Sequence, residues 1–445
     1  MRHLIALRPL ALVALLILVF AKNAHAAGCD PGSGRKSPSR FPVVFKPNEK
    51  LFGSRVSNLR AWRFIGKKWE QTALQVDEVG SDGSYVLEEG LPYTKFNDDG
   101  LLDANDELSI AGKSLGENFI GLNLDKNLRA HLNRWAKVDF CAGDSTYLGS
   151  ILIAEDKQQL ADLPFKPLFN RKESEVLTSK YHYKFRANQP MLIGEVKVVT
   201  PRGEKDVFAG SSFVMPLIPR LFFFPDFYFG EDDFTSEIES WRSGPVRSIV
   251  AVGSKMKKFF SLIDLHLFSE LVFYDDFFQI PTQIEFVFDP SRFLTRGSGL
   301  AYILKYPEGV DWTLTSNLES LPPGGPESGS IKKTAYEQSS QGVFGVRGSS
   351  SIGSFIANVR VDEKALRQAP PPYIASKQLF MSEGVKKAWP WLARADGSLG
   401  VFIEISGVKA GGYDFALDVA LSNQADDVFA DFQTVWANWP DLAEH

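Results

Sequence analysis

The chain has 445 residues, 44% of them hydrophobic and 13% aromatic with 35 Phe, which supplies ample core and suits β-structure. Its formal net charge of -5 excludes the basic face that a nucleic-acid surface needs. Only Cys29 and Cys141 occur, too few and too far apart for a structural metal cluster.

The opening stretch pairs basic Arg2 and Arg8 with an apolar run from Leu10 to Ala21 and the small-residue site Ala24-His25-Ala26. This is the pattern of a secretory signal over residues 1–26, and the apolar run falls short of the roughly 20 residues of a membrane span. Cutting there removes Arg2, Arg8 and Lys22 and no acid, so the charge goes from -5 to -8. A periplasmic or secreted protein with no transmembrane segment is expected. Ala26-Ala27-Gly28 before Cys29 leaves lipid anchoring as an alternative. In an oxidising compartment Cys29 and Cys141 are expected to form a disulfide.

From Phe41 to about Lys157, short apolar runs such as PVVFKP, NLRAWRFIG and GSILIAED alternate with turn signals, which predicts a β-sandwich domain over 27–160. Within it, acids surround Gly100. Set on a calcium-loop pattern, Asn97, Asp99, Asp103 and Asp106 fall at ligand positions, although Lys95 stands where the pattern wants Asp. A structural Ca²⁺ site and a solvated acidic turn both fit these residues; no cofactor is required. Gln158 to Glu175, with Pro164 and Pro167, reads as a connector, and a second, larger domain is expected over 176–445.

In that domain LFFFPDFYFGEDDF, residues 221–234, reads as an aromatic loop interrupted by Pro225 and Gly230. It is either a sticky docking patch or plain core. The central stretch is Ser261 to Asp289, read as a hairpin turning at Asp275 to Phe278. One face carries Leu267, Leu271, Phe273, Ile280, Ile284 and Phe286; the other carries Asp264, His266, Glu270, Tyr274, Gln279, Gln283 and Glu285. Pairing Tyr274 with Gln279 would set Glu270 opposite Gln283 and make one wet, partly acidic face. Further strands follow at 299–307 and 342–362 and near the end at LGVFIEISGV and GGYDFALDVALS; 428–442 reads as a strand or a short helix. The fold class is all-β: an N-terminal sandwich followed by a large antiparallel domain.

Two segments carry a resemblance. Leu74-Gln75-Val76-Asp77-Glu78-Val79 with Asp106-Glu107-Leu108, and Ser243-Gly244-Pro245-Val246-Arg247, resemble bacterial secreted proteins related to exo-rhamnogalacturonan lyases. The resemblance implies a galactose-mutarotase-like supersandwich that binds sugar on a concave sheet face.

There is no H-E-x-x-H pair and no P-loop. Candidate acid/base residues are therefore His266, Glu270, Asp264 and Glu285 on the hairpin's polar face, with Asp264 and His266 about 6.6 Å apart along the strand. Arg242 or Arg247 suits the carboxylate of an acidic sugar. Tyr274, Gln283 and Trp241 are further candidate sugar contacts, and Tyr181, His182 and Tyr183 could line the same cleft. Alternation alone also produces a polar face that is merely solvated. Three functions follow: a polysaccharide lyase or glycoside hydrolase, a non-catalytic carbohydrate-binding protein, and an envelope protein that meets a protein partner through 221–234.

Overall fold

The computed structural model describes residues 42–81, 83–91, 99–119, 124, 126–141, 147–156, 167–221, 224–257, 266–286, 288–310, 312–316, 343–368, 373–376 and 399–422. The first part holds β1 (Val43–Phe45), β2 (Leu59–Ile65), β3 (Lys68–Thr72), β4 (Gln75–Asp77), β5 (Glu89–Gly90), β6 (Glu107–Ile110), β7 (Leu132–Cys141) and β8 (Tyr147–Asp156). Sheets of order β1-β6-β4 and β3-β2-β8-β7 enclose Leu51, Leu59, Val76, Leu108, Ile151 and Ile153. This is the small sandwich that the short alternating runs predict.

The second part continues with β9 (Leu168–Asn170), β10 (Glu175–Leu177), β11 (Tyr181–Phe185), β12 (Ile193–Thr200), β13 (Gly203–Phe208), β14 (Gly210–Leu217), β15 (Phe227–Gly230), β16 (Phe234–Ser243), β17 (Arg247–Met256), β18 (His266–Tyr274), β19 (Phe277–Phe286) and β20 (Gly299–Lys305). It ends with β21 (Thr313–Ser316), β22 (Val343–Ser350), β23 (Gly353–Val361), β24 (Tyr373–Ser376), β25 (Leu399–Glu404) and β26 (Gly411–Ser422). A nine-stranded antiparallel sheet, β21-β22-β23-β26-β19-β18-β17-β16-β5, is its spine. Two five-stranded sheets, β13-β12-β11-β10-β9 and β15-β14-β20-β25-β24, pack on the spine's inner face. The fold is all-β, built of stacked antiparallel sheets.

The inner face follows from alternation. Leu267, Leu271 and Phe273 of β18, Phe278, Ile280, Ile284 and Phe286 of β19, and Phe415, Leu417 and Val419 of β26 all enter one core. Full burial of such a side chain contributes about 1.5–3 kcal/mol. Tyr183 places its ring 4.8 Å from Phe273 and 5.1 Å from Phe278, edge-on to both. The Tyr181 hydroxyl lies 2.8 and 2.9 Å from the carbonyls of Tyr274 and Phe277 and pins the hairpin tip. Tyr181 and Tyr183 are therefore core rather than cleft, while half-exposed His182 meets Glu204 at 3.2 Å.

The structure corrects three expectations. The hairpin turns on Asp275 and Asp276 alone, so Val272 pairs with Gln279 and Phe268, not Glu270, lies opposite Gln283. This shift of two residues keeps every side chain on its expected face. The supposed connector holds β9, which pairs with β10 inside a five-stranded sheet, so the larger unit begins by Leu168. Residues 227–230 form an edge strand on β14 rather than a loop, with Phe229 buried while Leu221 and Phe224 stay 47% and 49% exposed.

The two parts interlock. β5, from the first, adds to the edge of the spine through Ser240↔Gly90 and Trp241↔Glu89. Gly90 sits at φ +94°, and a Cβ there would lie 2.3 Å from the Glu239 carbonyl oxygen, so only glycine allows this approach.

Candidate functional site

The hairpin's polar face is not simply wet. Near the tip it is covered: Val272, Tyr274 and Phe277 pack with Val44 and Leu87 of the first part, with Val246 and with Ile249 and Ala251 of β17. Under that cover the segments Gln75–Asp77, Glu107 and Gly244–Arg247 converge on one buried polar network. Arg247 Nε and Nη2 each approach Asp77 Oδ2 at 2.7 Å, Nη2 donates to Glu107 Oε2 at 2.9 Å, and Nη1 donates to the Tyr274 hydroxyl at 3.1 Å. The Tyr85 hydroxyl donates to Glu107 Oε2 at 2.7 Å, and the guanidinium carbon lies 5.1 Å from the Tyr85 ring centre. Gln75 Oε1 accepts from the backbone N–H groups of Val246 and Arg247 at 3.0 and 2.8 Å, while its Nε2 donates to Asp77 Oδ1.

Burial pushes the Glu107 carboxyl up, but the Arg247 charge, the hydrogen bonds from Tyr85 and Arg247, and the charge of Lys46 together hold it below the usual glutamate value. Burial pushes the Tyr274 hydroxyl up to about 12, so it stays protonated. Arg247 is 1% exposed and Tyr274 likewise. Both were candidate sugar contacts; in the structure they are closed to solvent and tie the two parts together. Arg242 belongs to the same junction, donating to the Val76 carbonyl at 2.8 Å and standing 3.5 Å from Asp77 Oδ1. Trp241 packs its ring 5.5 Å from Phe169, on the core side of the sheet.

Away from the tip the same outer face opens. Register places Gln279, Asp418 and Asn358 in one lateral row across β19, β26 and β23, and Pro281, Ala416 and Arg360 in the next. Neighbouring strands are about 4.8 Å apart and successive outward residues of one strand about 6.8 Å apart. Asp418 is fully buried; Arg360 reaches it with Nε at 2.7 Å and Nη2 at 3.1 Å, and Gln279 Nε2 donates to it at 3.1 Å. Burial pushes the Asp418 carboxyl up, outweighing the pull of Arg360 and Gln279. Beyond this row Gln283, Glu285 and Asp414 are exposed. Half-buried Glu270 accepts from the Tyr85 backbone N–H at 3.1 Å. The result is a polar strip on a rigid sheet: carboxylates, amides and a guanidinium, buried and paired at one end and exposed at the other.

The four acid/base candidates do not gather at one point. Glu270 sits beside the cover, Glu285 is at the far exposed end of β19, His266 begins β18, and Asp264 lies outside the described residues. Sequence reasoning missed Asp418, Arg360 and Asn358. The signal was present: Asp414 and Asp418 alternate with Phe415, Leu417 and Val419, and Asn358 and Arg360 alternate with Ala357, Val359 and Val361, the pattern used for the hairpin.

In the acidic loop each described carboxylate accepts backbone N–H groups: Asp99 from Leu101, Asp103 from Asn105, and Asp106 from both Val79 and Asp103. Asp106 is buried, which pushes its carboxyl up. Asn97 lies outside the described residues, and among those described no group of three or more His, Cys, Asp or Glu is placed to hold a metal ion. Cys29 and the signal segment, and so the expected disulfide, also lie outside them.

No protein-family model matches the chain, and no curated protein does. Solved structures share its shape distantly. A protein in glycosyl hydrolase family 38 from Enterococcus faecalis aligns at 9% identity and TM-score 0.43, covering 92% of this chain and 46% of that one. An alpha-mannosidase from Enterococcus faecalis V583 aligns at 9% identity and TM-score 0.43, covering 91% and 44%. Galactose 1-epimerase from Lactobacillus acidophilus NCFM aligns at 10% identity and TM-score 0.28, covering 65% and 99%. The chain spans less than half the length of the first two. Likeness at this level carries no activity across, and the rhamnogalacturonan lyase resemblance rests on the short sequence segments alone.

Proposed function

We propose that this is an exported carbohydrate-handling protein whose ligand lies on the exposed end of the outer strip of the nine-stranded sheet, at Gln283, Asp414 and Glu285 beside Arg360. One observation carries the reading: planar amide, carboxylate and guanidinium groups project in register from three neighbouring strands, open at one end. Sugar hydroxyls both donate and accept, and such a row offers both functions at fixed spacing. Arg360, held in orientation by Asp418, is the cation that suits an acidic sugar, a role that the fully buried Arg247 cannot fill. Within this reading the half-buried Glu270 of β18, about 14 Å from Arg360 across β19 and β26, is the acid/base residue of a lyase or hydrolase.

A second reading, carbohydrate binding without turnover, is favoured by the scatter of the carboxylates and the complete burial of Asp418. A thermal-shift panel of acidic and neutral oligosaccharides tests both, since a ligand that binds only the folded form raises the melting temperature. Stabilisation by one sugar class, lost in the double variant Gln283→Ala/Glu285→Ala, is expected. Silence across the panel from folded protein overturns the proposal. New sugar ends that vanish in Glu270→Gln mark the enzyme; binding with no product marks the second reading.

A further inference from the structure

On the spine's opposite, inner face, a cavity of about 110 Å³ lies between the nine-stranded sheet and the β14-β20-β25 layer. Ile280, Ile284, Leu300, Val401 and Leu417 form its apolar walls. Protein interiors seldom leave a void larger than a water molecule, and an apolar cavity of about this size stays dry and takes up benzene. Of the hydroxyls in the lining, Tyr302 pairs with Ser211 and Thr282 with Ser269, whereas Ser254 stands apart. Ser254 follows Val250 and Val252 on the inward-facing positions of β17, is 3% exposed, and its Oγ has no hydrogen-bond partner. A buried hydroxyl left unpaired is costly, whereas a valine there would continue the pattern of its neighbours.

The rim is polar and less buried. Glu231 lines it and pairs with Arg186 at 2.9 Å, while Gln189 Nε2 donates to the carbonyls of Glu231 and Phe234, each at 2.8 Å. The cavity therefore has a mostly apolar interior, the unpaired Ser254 hydroxyl on its wall and a hydrogen-bonded polar turn at its edge.

We propose that this cavity is a binding site for a small apolar molecule, an alkyl chain or ring of about six carbons bearing one hydroxyl or carbonyl group that pairs with Ser254. The site is separate from the outer strip and stands or falls independently of the carbohydrate reading. Calorimetric titration of the full chain with 1-hexanol and with benzene tests it. Both are expected to bind, with Ser254→Val weakening 1-hexanol about tenfold, one lost hydrogen bond, and leaving benzene unchanged. Ala301→Leu, which adds bulk to the lining, is expected to abolish both and to raise the melting temperature of the unliganded protein. If that variant does not fold, Ser254→Val decides alone. Absence of binding by the folded wild type overturns the proposal, and so does binding that neither variant alters.

Discussion

Arg247 and Arg360 project from the same face of one sheet, each onto a buried aspartate, yet their surroundings differ. Arg247 meets Asp77 and Glu107 from another part of the chain, with Tyr85, Tyr274 and Gln75 completing the hydrogen bonds. Arg360 meets Asp418 from the neighbouring strand, with Gln279 as the second donor. The first cation faces two carboxylates and holds Glu107 below its usual range; the second faces one, and burial keeps Asp418 above its own. In the first cluster Arg242 and Lys46 add positive charge beside Asp77 and Glu107; in the second Asp418 faces Arg360. The second can relieve itself by taking up a proton, which leaves it free to respond to what approaches.

The largest expected effect separates the two directly. Arg247→Met strands two buried carboxylates and should destabilise by about 3–5 kcal/mol, the usual cost of breaking a buried pair. Arg360→Met should cost about 1–3 kcal/mol, because Asp418 protonates instead. Urea midpoints of both variants at about pH 7 measure the gap, and equal losses would erase the distinction. Next in size is Gly244→Ala, whose Cβ would lie 2.2 Å from the Gln75 side chain that caps the Val246 and Arg247 amides. A loss of about 1–3 kcal/mol is expected. Adding Gln75→Ala should cost less than the sum of the two single losses, which a double-mutant cycle detects.

The smallest effect is in pH dependence, and its sign differs between the clusters. The folded value of Glu107 is depressed, so its stabilisation is present above the unfolded value near 4.5 and lost as pH falls through the folded one. The folded value of Asp418 is raised, so its contribution is present below the unfolded value near 3.8 and lost as pH rises through the folded one. Glu107→Gln should therefore soften the loss of stability on acidification, and Asp418→Asn should sharpen it. Unfolding free energies measured from about pH 7 to about pH 2 would show the two variants diverging from wild type in opposite directions.

Much of the fold was legible because β-alternation has period two. Leu271, Phe273, Ile280 and Ile284 face inward as their positions require, and a register error of two residues left that intact. Alternation reports polarity, not solvent, so it could not tell Gln283, which meets water, from Arg247, which meets Asp77. Which polar residues are covered depends on contacts between segments some 170 positions apart, such as Gln75 with Arg247, and nothing local encodes them. The boundary near Leu168 was hidden for another reason: Pro167 suggested a linker, yet its carbonyl accepts from the Ser248 hydroxyl and anchors the first strand of the next sheet.

β26 sits between β19 and β23, although it follows both in the chain. A chain emerging from its N-terminus holds an open slot in the middle of its largest sheet until residues 411–422 arrive. Two long apolar strands then face each other with unpaired backbone, the geometry that invites strands from other molecules. The spine closes only when β26, the last of its strands in chain order, pairs with β19 and β23. Chains cut short of Gly411 should aggregate as they emerge, and a holdase that recognises bare strand edges would find its longest-lived target there.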